Sequence, residues 1–97
     1  MDMATEVRRN DGASRYELYV EGQLVGIADY HERGDVLVFP HTEIDPSRRG
    51  QGLGEILVRG ALDDLKGTGR TIVPSCWFVR DFVDANPDYR DLLAPSA

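Results

Sequence analysis

The segment from Arg48 to Gly54 combines two adjacent arginines with glycines at every second position. Glycine has no side chain, so a ligand can approach the backbone closely there. The segment precedes a predicted helix, whose first N–H groups lack intrahelical partners and lie at the positive end of the helix dipole. It therefore predicts a pyrophosphate site, to which Arg48 and Arg49 add positive charge. The alternative is a flexible turn with both arginines in solvent.

This glycine pattern differs from two common phosphate-binding motifs. No Lys-Ser or Lys-Thr pair follows the glycines, as a Walker motif requires. Ile56 or Leu57 stands where the dinucleotide fingerprint has its third glycine. Neither a nucleoside triphosphate nor NAD is therefore favoured as the ligand.

Three other residues are candidates for catalysis: Cys76, Glu43 and His41. Cys76 precedes a predicted helix, where the dipole and free amides favour a nucleophilic thiolate, although a lone cysteine is also a common small buried residue. Glu43, near the end of a predicted strand, is either a base for an incoming ammonium or a solvated strand residue. His41 shares a strand face with Glu43 because side chains alternate. It can pair with Glu43 or Cys76, or serve as a structural histidine.

Alternating apolar residues predict four strands in the first half of the chain, at residues 6–9, 15–20, 24–30 and 36–44. Turn signals separate them at residues 10–12, 21–22 and 33–34. These short connections predict an antiparallel meander. Pro40 lacks a backbone donor, so strand four is expected to be irregular at that residue.

Helical spacing of apolar residues predicts a helix after the glycine segment. Its predicted buried residues are Leu53, Ile56, Leu57, Ala61 and Leu65. Residues 71–73 form a predicted fifth strand, which the crossover helix places parallel to strand four. The predicted fold class is α+β, an antiparallel meander followed by a βαβ unit in a mixed sheet.

A second helix is predicted after strand five, with Ser75 as its cap. Trp77, Phe78 and Phe82 are expected in the core because aromatic residues of this helix must cover a small sheet. Asn86-Pro87 ends the helix, and residues 88–93 form a short tail helix.

Composition limits the classes of function. The 97 residues fit one domain spanning 1–97, and one cysteine with two histidines predicts neither an internal disulfide nor a metal site. No apolar run is long enough to span a membrane, and no secretory leader is evident, which predicts a cytoplasmic protein without a membrane partner. A net charge of -6 argues against nucleic acid as a partner. Nothing in the sequence indicates an oligomeric state.

The spacing of Arg49, Gly52 and Gly54 resembles the acetyl-CoA signature of the GNAT superfamily of N-acetyltransferases, Q/R-x-x-G-x-G/A. The predicted order of meander, glycine loop, helix, parallel strand and helix is also similar to that superfamily over nearly the whole chain. The sequence is most similar to a subfamily of short single-domain members. That subfamily has a His-Thr-Glu step before the loop and a Pro-x-Cys step after it, which correspond here to residues 41–43 and 74–76.

This resemblance implies a cleft between strands four and five that binds acetyl-CoA or coenzyme A. The cofactor-binding residues that it implies are Ile44, Arg48, Arg49, Gly50, Gln51, Gly52, Leu53 and Gly54. The implied activity is acetyl transfer to an amine on a small molecule or a protein, directly or through an acetyl-cysteine intermediate at Cys76.

The sequence departs from the superfamily pattern in two places. Many members have a tyrosine general acid on the helix after strand five, where this chain has Phe82, which cannot donate a proton. Tyr89 could substitute, or it could anchor the tail. The helices that usually follow the first strand and shape the acceptor pocket are replaced by a short turn. These departures leave a non-catalytic CoA-binding or acyl-CoA-binding module as the alternative.

Overall fold

The computed structural model describes residues 4–95, which form one five-stranded sheet in the order β1-β2-β3-β4-β5. The strands are β1 (Thr5–Asn10), β2 (Arg15–Val20), β3 (Gln23–Arg33), β4 (Val36–Ile44) and β5 (Thr71–Val73). Neighbours from β1 to β4 are antiparallel, and β5 is parallel to β4. The predicted meander and the parallel fifth strand are both confirmed.

Two α-helices complete the βαβ part of residues 4–95: α1 (Leu53–Leu65) connects β4 to β5, and α2 (Trp77–Ala85) follows β5. The described part of the chain also has three short 3₁₀ helices, at Asp11–Ala13, Pro46–Arg48 and Pro87–Leu92. The predicted tail helix at 88–93 is the last of these, and it begins with a proline whose missing N–H is not needed there. No helix within residues 4–95 is long and apolar enough to cross a membrane.

The turns follow the local sequence with one shift. Glu21 and Gly22 connect β2 to β3 and both have positive φ, 50° and 80°, as a two-residue hairpin turn of the right twist requires. The turn predicted at Arg33-Gly34 lies one residue later, because β3 continues through Arg33 and the turn residues are Gly34 and Asp35.

One face of the sheet carries both helices and the core. Its buried strand residues include Tyr16, Leu18, Ala28, Leu37 and Ile72, all at most 1% exposed. Those of α1 join the same cluster: Leu53, Leu57, Val58, Ala61, Leu62 and Leu65. Val58 and Leu62 are buried in place of the predicted Ile56, which is only partly buried against the cluster.

The opposite face of the sheet is more open. Leu24 and Val73 lie on this face and are 44% and 38% exposed. Along β2, β3 and β4, residues on this face alternate with residues on the core face, and paired residues of neighbouring strands share a face.

Two predictions about α2 are wrong. The residue before the helix is Cys76, with an extended backbone and no side-chain hydrogen bond to the first turn, so Ser75 is not the cap. Trp77 is 70% exposed rather than part of the core, whereas Phe82 is buried.

Candidate active site

A cleft forms where β4 and β5 separate. The two strands pair only from Val36 to Val38 on β4, because β5 ends at Val73. Two residues of β4, Phe39 and Pro40, lie opposite the single Tyr30 of β3, which is a β-bulge. The irregularity predicted at Pro40 is therefore confirmed, and it suits proline because this residue has no N–H to donate to the ladder.

The resulting cleft has a volume of about 840 Å³. It is bounded by the second half of β4, the glycine loop with the start of α1, and the segment that enters α2. The lining residues are Pro40, His41, Thr42, Glu43, Ile44, Arg48, Arg49, Gly50, Gly52, Leu53, Gly54, Glu55, Ser75, Cys76, Trp77 and Phe78. Every site residue predicted from the sequence is among them except Gln51, which is exposed beside the cleft.

The glycine loop has two open left-handed positions. Gly50 has φ 84° and Gly52 has φ 72°, and a Cβ at either would meet nothing within 4 Å. The backbone conformation, rather than crowding, therefore requires glycine at both positions. Gly52 is the residue before α1 and gives the helix no side-chain cap, so the first amides of α1 keep their capacity to bind an anion.

Gly54 has a different role from the other two loop glycines. A Cβ at Gly54 would lie 2.7 Å from Cζ of Phe78. The glycine therefore lets α1 pack closely against the first turn of α2. The sequence predicted only the approach of a ligand here and missed this contact between the helices.

The arginines of the loop follow a short, hydrogen-bonded turn. The Asp45 carboxylate accepts hydrogen bonds from the Ser47 N–H (3.0 Å) and the Ser47 hydroxyl (2.9 Å), which hold the pKa of Asp45 below its usual value. Arg48 Nη2 donates to Gln23 Oε1 at 3.4 Å, and Arg49 is exposed. Positive charge therefore lies at the edge of the cleft, beside the free amides.

His41 and Glu43 form an exposed pair. His41 Nε2 lies 3.2 Å from Glu43 Oε2, and the two side chains are 54% and 63% exposed. Of the two partners predicted for His41, the structure brings it to Glu43 rather than to Cys76. The predicted sharing of one face by these residues is confirmed.

Cys76 lies on the other side of the cleft wall from this pair, partly buried against the core. Its backbone N–H donates to the Phe39 carbonyl at 2.7 Å. Its Sγ donates to Thr42 Oγ1 at 3.7 Å. The site predicted from the sequence did not include Thr42. The signal for it was the alternation along β4, which places Thr42 on the face opposite His41.

Phe82, which stands where many GNAT members have a tyrosine, and Tyr89, the possible substitute, both lie away from the cleft. Phe82 and Tyr89 are buried, at 5% and 4% exposure, with ring centroids 5.3 Å apart. Tyr89 donates its hydroxyl to Asp63 at 2.7 Å, and burial raises the pKa of this phenol. Neither residue lines the cleft, so Tyr89 serves as the anchor of the tail.

Residues 15–92 match the family model of the GCN5-related N-acetyltransferases. The chain belongs to this family. GCN5-related N-acetyltransferases, or GNAT proteins, in general take the acetyl group that they transfer from acetyl-CoA. The cleft between β4 and β5 and the glycine loop before α1 therefore lie where the GNAT resemblance placed them.

Two known proteins are similar to parts of this GNAT chain. Protein NATD1 of Bos taurus is 33% identical over 57 residues, which cover 57% of this chain and 50% of that protein. The crystal structure of the ribosomal-protein-S18-alanine N-acetyltransferase from Escherichia coli matches with a TM-score of 0.55 at 24% identity, over 60% of this chain and 38% of that chain. The second likeness concerns the fold. The match spans half of the curated relative and a smaller part of the bacterial enzyme.

The residues of the cleft fit acetyl-CoA. The amides after Gly52 and the adjacent arginines suit a pyrophosphate, because both present positive charge at open backbone. Ile44, partly buried on the same wall, offers apolar surface to an uncharged pantetheine arm. Within residues 4–95, no group of three or more His, Cys, Asp or Glu is arranged to hold a metal ion.

Proposed function

We propose that this chain transfers an acetyl group from acetyl-CoA to an amine acceptor, a small molecule or a protein, with Cys76 carrying the acetyl group between the two. One observation carries the proposal: a single cleft connects a glycine loop with free helix amides to a cysteine thiol. The first feature suits the phosphates of coenzyme A, and the second suits attack on a thioester.

The cofactor would be held by the residues of the loop and of β4. The amides of Leu53 and Gly54 and the side chains of Arg48 and Arg49 would bind the pyrophosphate, and Ile44 would contact the arm. Bound acetyl-CoA supplies an activated acetyl group as a thioester. The open space at Gly50 and Gly52 supports this assignment, because a phosphate can lie directly against the backbone there.

Cys76 would take the acetyl group by exchange of one thioester for another. A bond forms between Cys76 Sγ and the acetyl carbon, the bond from that carbon to the coenzyme sulfur breaks, and the thiol proton leaves with coenzyme A. The Phe39 carbonyl fixes the backbone of Cys76 at the cleft wall, so the residue is held beside the cleft for this step.

The acceptor amine would then attack the acetyl group on Cys76. The new nitrogen–carbon bond forms, the carbon–Sγ bond breaks, and the amine loses a proton. Glu43 is the carboxylate of β4 that lines the cleft, and His41 hydrogen-bonds it at 3.2 Å. Both side chains lie on the sheet face turned away from Cys76, so we assign proton acceptance to this pair through intervening water rather than by direct contact with the amine.

The second candidate is a CoA-binding module without turnover. The observation that favours it is that no tyrosine is among the described residues lining the cleft, although many GNAT enzymes use one as general acid. A third possibility within the enzyme class is direct transfer from acetyl-CoA to the amine, with Glu43 as base and Cys76 only lining the cleft.

Formation of acetylated amine from acetyl-CoA and an acceptor separates these functions. The wild type and Cys76→Ser would be mixed with acetyl-CoA and either an aliphatic diamine or a lysine-containing peptide. The proposal predicts acetylated amine from the wild type and none from Cys76→Ser, because a hydroxyl is hardly ionised near neutral pH. Equal rates for both proteins would establish direct transfer. Binding of acetyl-CoA without acetylated product from either protein would favour the binding module.

A further inference from the structure

We propose that Thr42 is a positioning residue for Cys76, whose hydroxyl holds the sulfur against the β4 wall and hydrogen-bonds its thiolate. This inference deepens the proposed function and rests on the role of Cys76 in it. The observation behind it is the contact between Cys76 Sγ and Thr42 Oγ1 at 3.7 Å.

The β-bulge determines which β4 side chain faces Cys76. Leu37 and Phe39, before the bulge, face the helices and are at most 1% exposed. Simple alternation would continue this face to His41 and Glu43. The extra residue at the bulge reverses the alternation, so Thr42 faces the helices instead.

The strand register supports this reversal. Thr42 pairs with Ala28, which is 1% exposed under the helices. His41 and Glu43 pair with Asp29 and Ile27, both of which lie on the open face. Cys76 packs against the helix-side core. A side chain on the open face is therefore turned away from Cys76, and Thr42 supplies the β4 hydroxyl on its side.

The backbone of Cys76 is fixed on both sides of the residue. Its N–H donates to the Phe39 carbonyl at 2.7 Å, and its carbonyl accepts from the Arg80 N–H at 3.1 Å. With the backbone fixed, Sγ can still move by rotation about the Cα–Cβ bond of Cys76. The contact with Thr42 restricts this rotation and leaves the sulfur within the cleft lining.

The hydrogen bond reverses direction when the thiol ionises. The thiol donates to the Thr42 oxygen, whereas a thiolate has no proton and accepts from the Thr42 hydroxyl. A hydrogen bond to the charged form favours that form. Loss of the hydroxyl should therefore reduce the thiolate fraction of Cys76 at neutral pH.

The test is the pH dependence of Cys76 alkylation by iodoacetamide. Cys76 is the single cysteine of the chain, so intact mass reports its modification without interference. Thr42→Val, which keeps the shape and removes the hydroxyl, should move the midpoint of the profile to higher pH and slow alkylation at neutral pH by about 2- to 10-fold. Thr42→Ala should move it in the same direction. Thr42→Ser should restore the wild-type midpoint.

Thr71→Val is the matched control, because it is the same substitution on the neighbouring strand β5 outside the cleft lining. It should leave the profile unchanged. An unchanged midpoint in Thr42→Val and Thr42→Ala would overturn the role of Thr42, as would an equal shift in Thr42→Ser. The readout contains no acetyl-CoA, so a shift in Thr42→Val without any acetylation of Cys76 would refute the proposed function and leave the Thr42 contact established.

Discussion

The Phe39 carbonyl accepts a hydrogen bond from the Cys76 N–H at 2.7 Å, and this contact joins the bulge of β4 to the start of α2. Phe39 belongs to the bulge, so its carbonyl points across the gap between β4 and β5. One local irregularity thus opens the cleft, holds the cysteine at its wall and places Thr42 rather than His41 beside the sulfur.

Gly52→Val should abolish acetyl-CoA binding, because a branched side chain would fill the space in which a phosphate lies against the backbone. Binding at about 100 times the dissociation constant adds roughly 2.7 kcal/mol, a melting rise of about 10 °C or more for a domain of this size. The wild type should show this rise and Gly52→Val should not.

Gly34→Val is the matched control for this loop. Gly34 also has positive φ, 61°, with nothing within 4 Å of a Cβ, but it lies in the turn between β3 and β4. Both variants should lose about 1–3 kcal/mol of stability from backbone strain. Loss of the acetyl-CoA response in Gly34→Val as well, or its retention in Gly52→Val, would contradict the loop assignment.

Gly54→Ala should test the packing of α1 on α2. Its Cβ would meet the Phe78 ring at 2.7 Å, so the ring must move. We expect a net loss of about 1 kcal/mol or more, since overpacking costs about 1–3 kcal/mol and the helix propensity of alanine returns up to about 1. Urea unfolding of the single and double variants with Phe78→Ala forms a cycle. Strict additivity would show that the two residues do not interact.

Tryptophan emission should report ligand binding directly. Trp77 is the single tryptophan of the chain, is 70% exposed and lines the cleft. A saturable change in emission is expected on titration with acetyl-CoA, with a midpoint equal to that from calorimetry. Trp77→Ala should change stability by at most about 0.5 kcal/mol, because little of the side chain is packed. Emission that stays constant while calorimetry detects binding would place the ligand elsewhere.

Stability should depend on pH through Glu17, which is 6% exposed. Hydrogen bonds from Asn10, Tyr19 and Arg15 lower its pKa below the ordinary value of 4.5. Because the folded pKa is the lower one, this stabilisation is present above the ordinary value and is lost as pH falls through the folded pKa. Urea unfolding should show that Glu17→Gln is less stable at neutral pH.

The wild type should also lose more stability than Glu17→Gln as pH is lowered below about 4.5, since only the wild type must protonate this carboxylate. The other carboxylates are common to both proteins and cancel in the difference. Parallel curves for the two proteins would show that Glu17 does not contribute to acid sensitivity.

Local sequence signals predicted most of the fold because each depends on neighbours along the chain. The hairpin at Glu21-Gly22, the break at Pro40 and the helix after Gly52 all follow from backbone preferences of single residues. The loop residues of the cleft followed from the same signals.

The remaining features depend on contacts between distant elements. Pro40 indicated an irregular strand. Whether β4 has an extra residue opposite β3 at this point depends on how the two strands pair. The partner of Gly54 is a ring from α2, and the exposure of Trp77 depends on how α2 packs against the other elements. The spacing of residues within one segment cannot predict such contacts, because each contact depends on a second segment that is distant in the sequence.

Intact mass after incubation with acetyl-CoA tests the central claim most directly. Under gentle ionisation the wild type should retain coenzyme A, and under denaturing conditions it should carry one acetyl group, which peptide mapping should locate on Cys76. Cys76→Ser should retain coenzyme A and carry no acetyl group. A wild type that binds acetyl-CoA but gains no acetyl group in the absence of acceptor, or that gains it at a residue other than Cys76, would contradict the account.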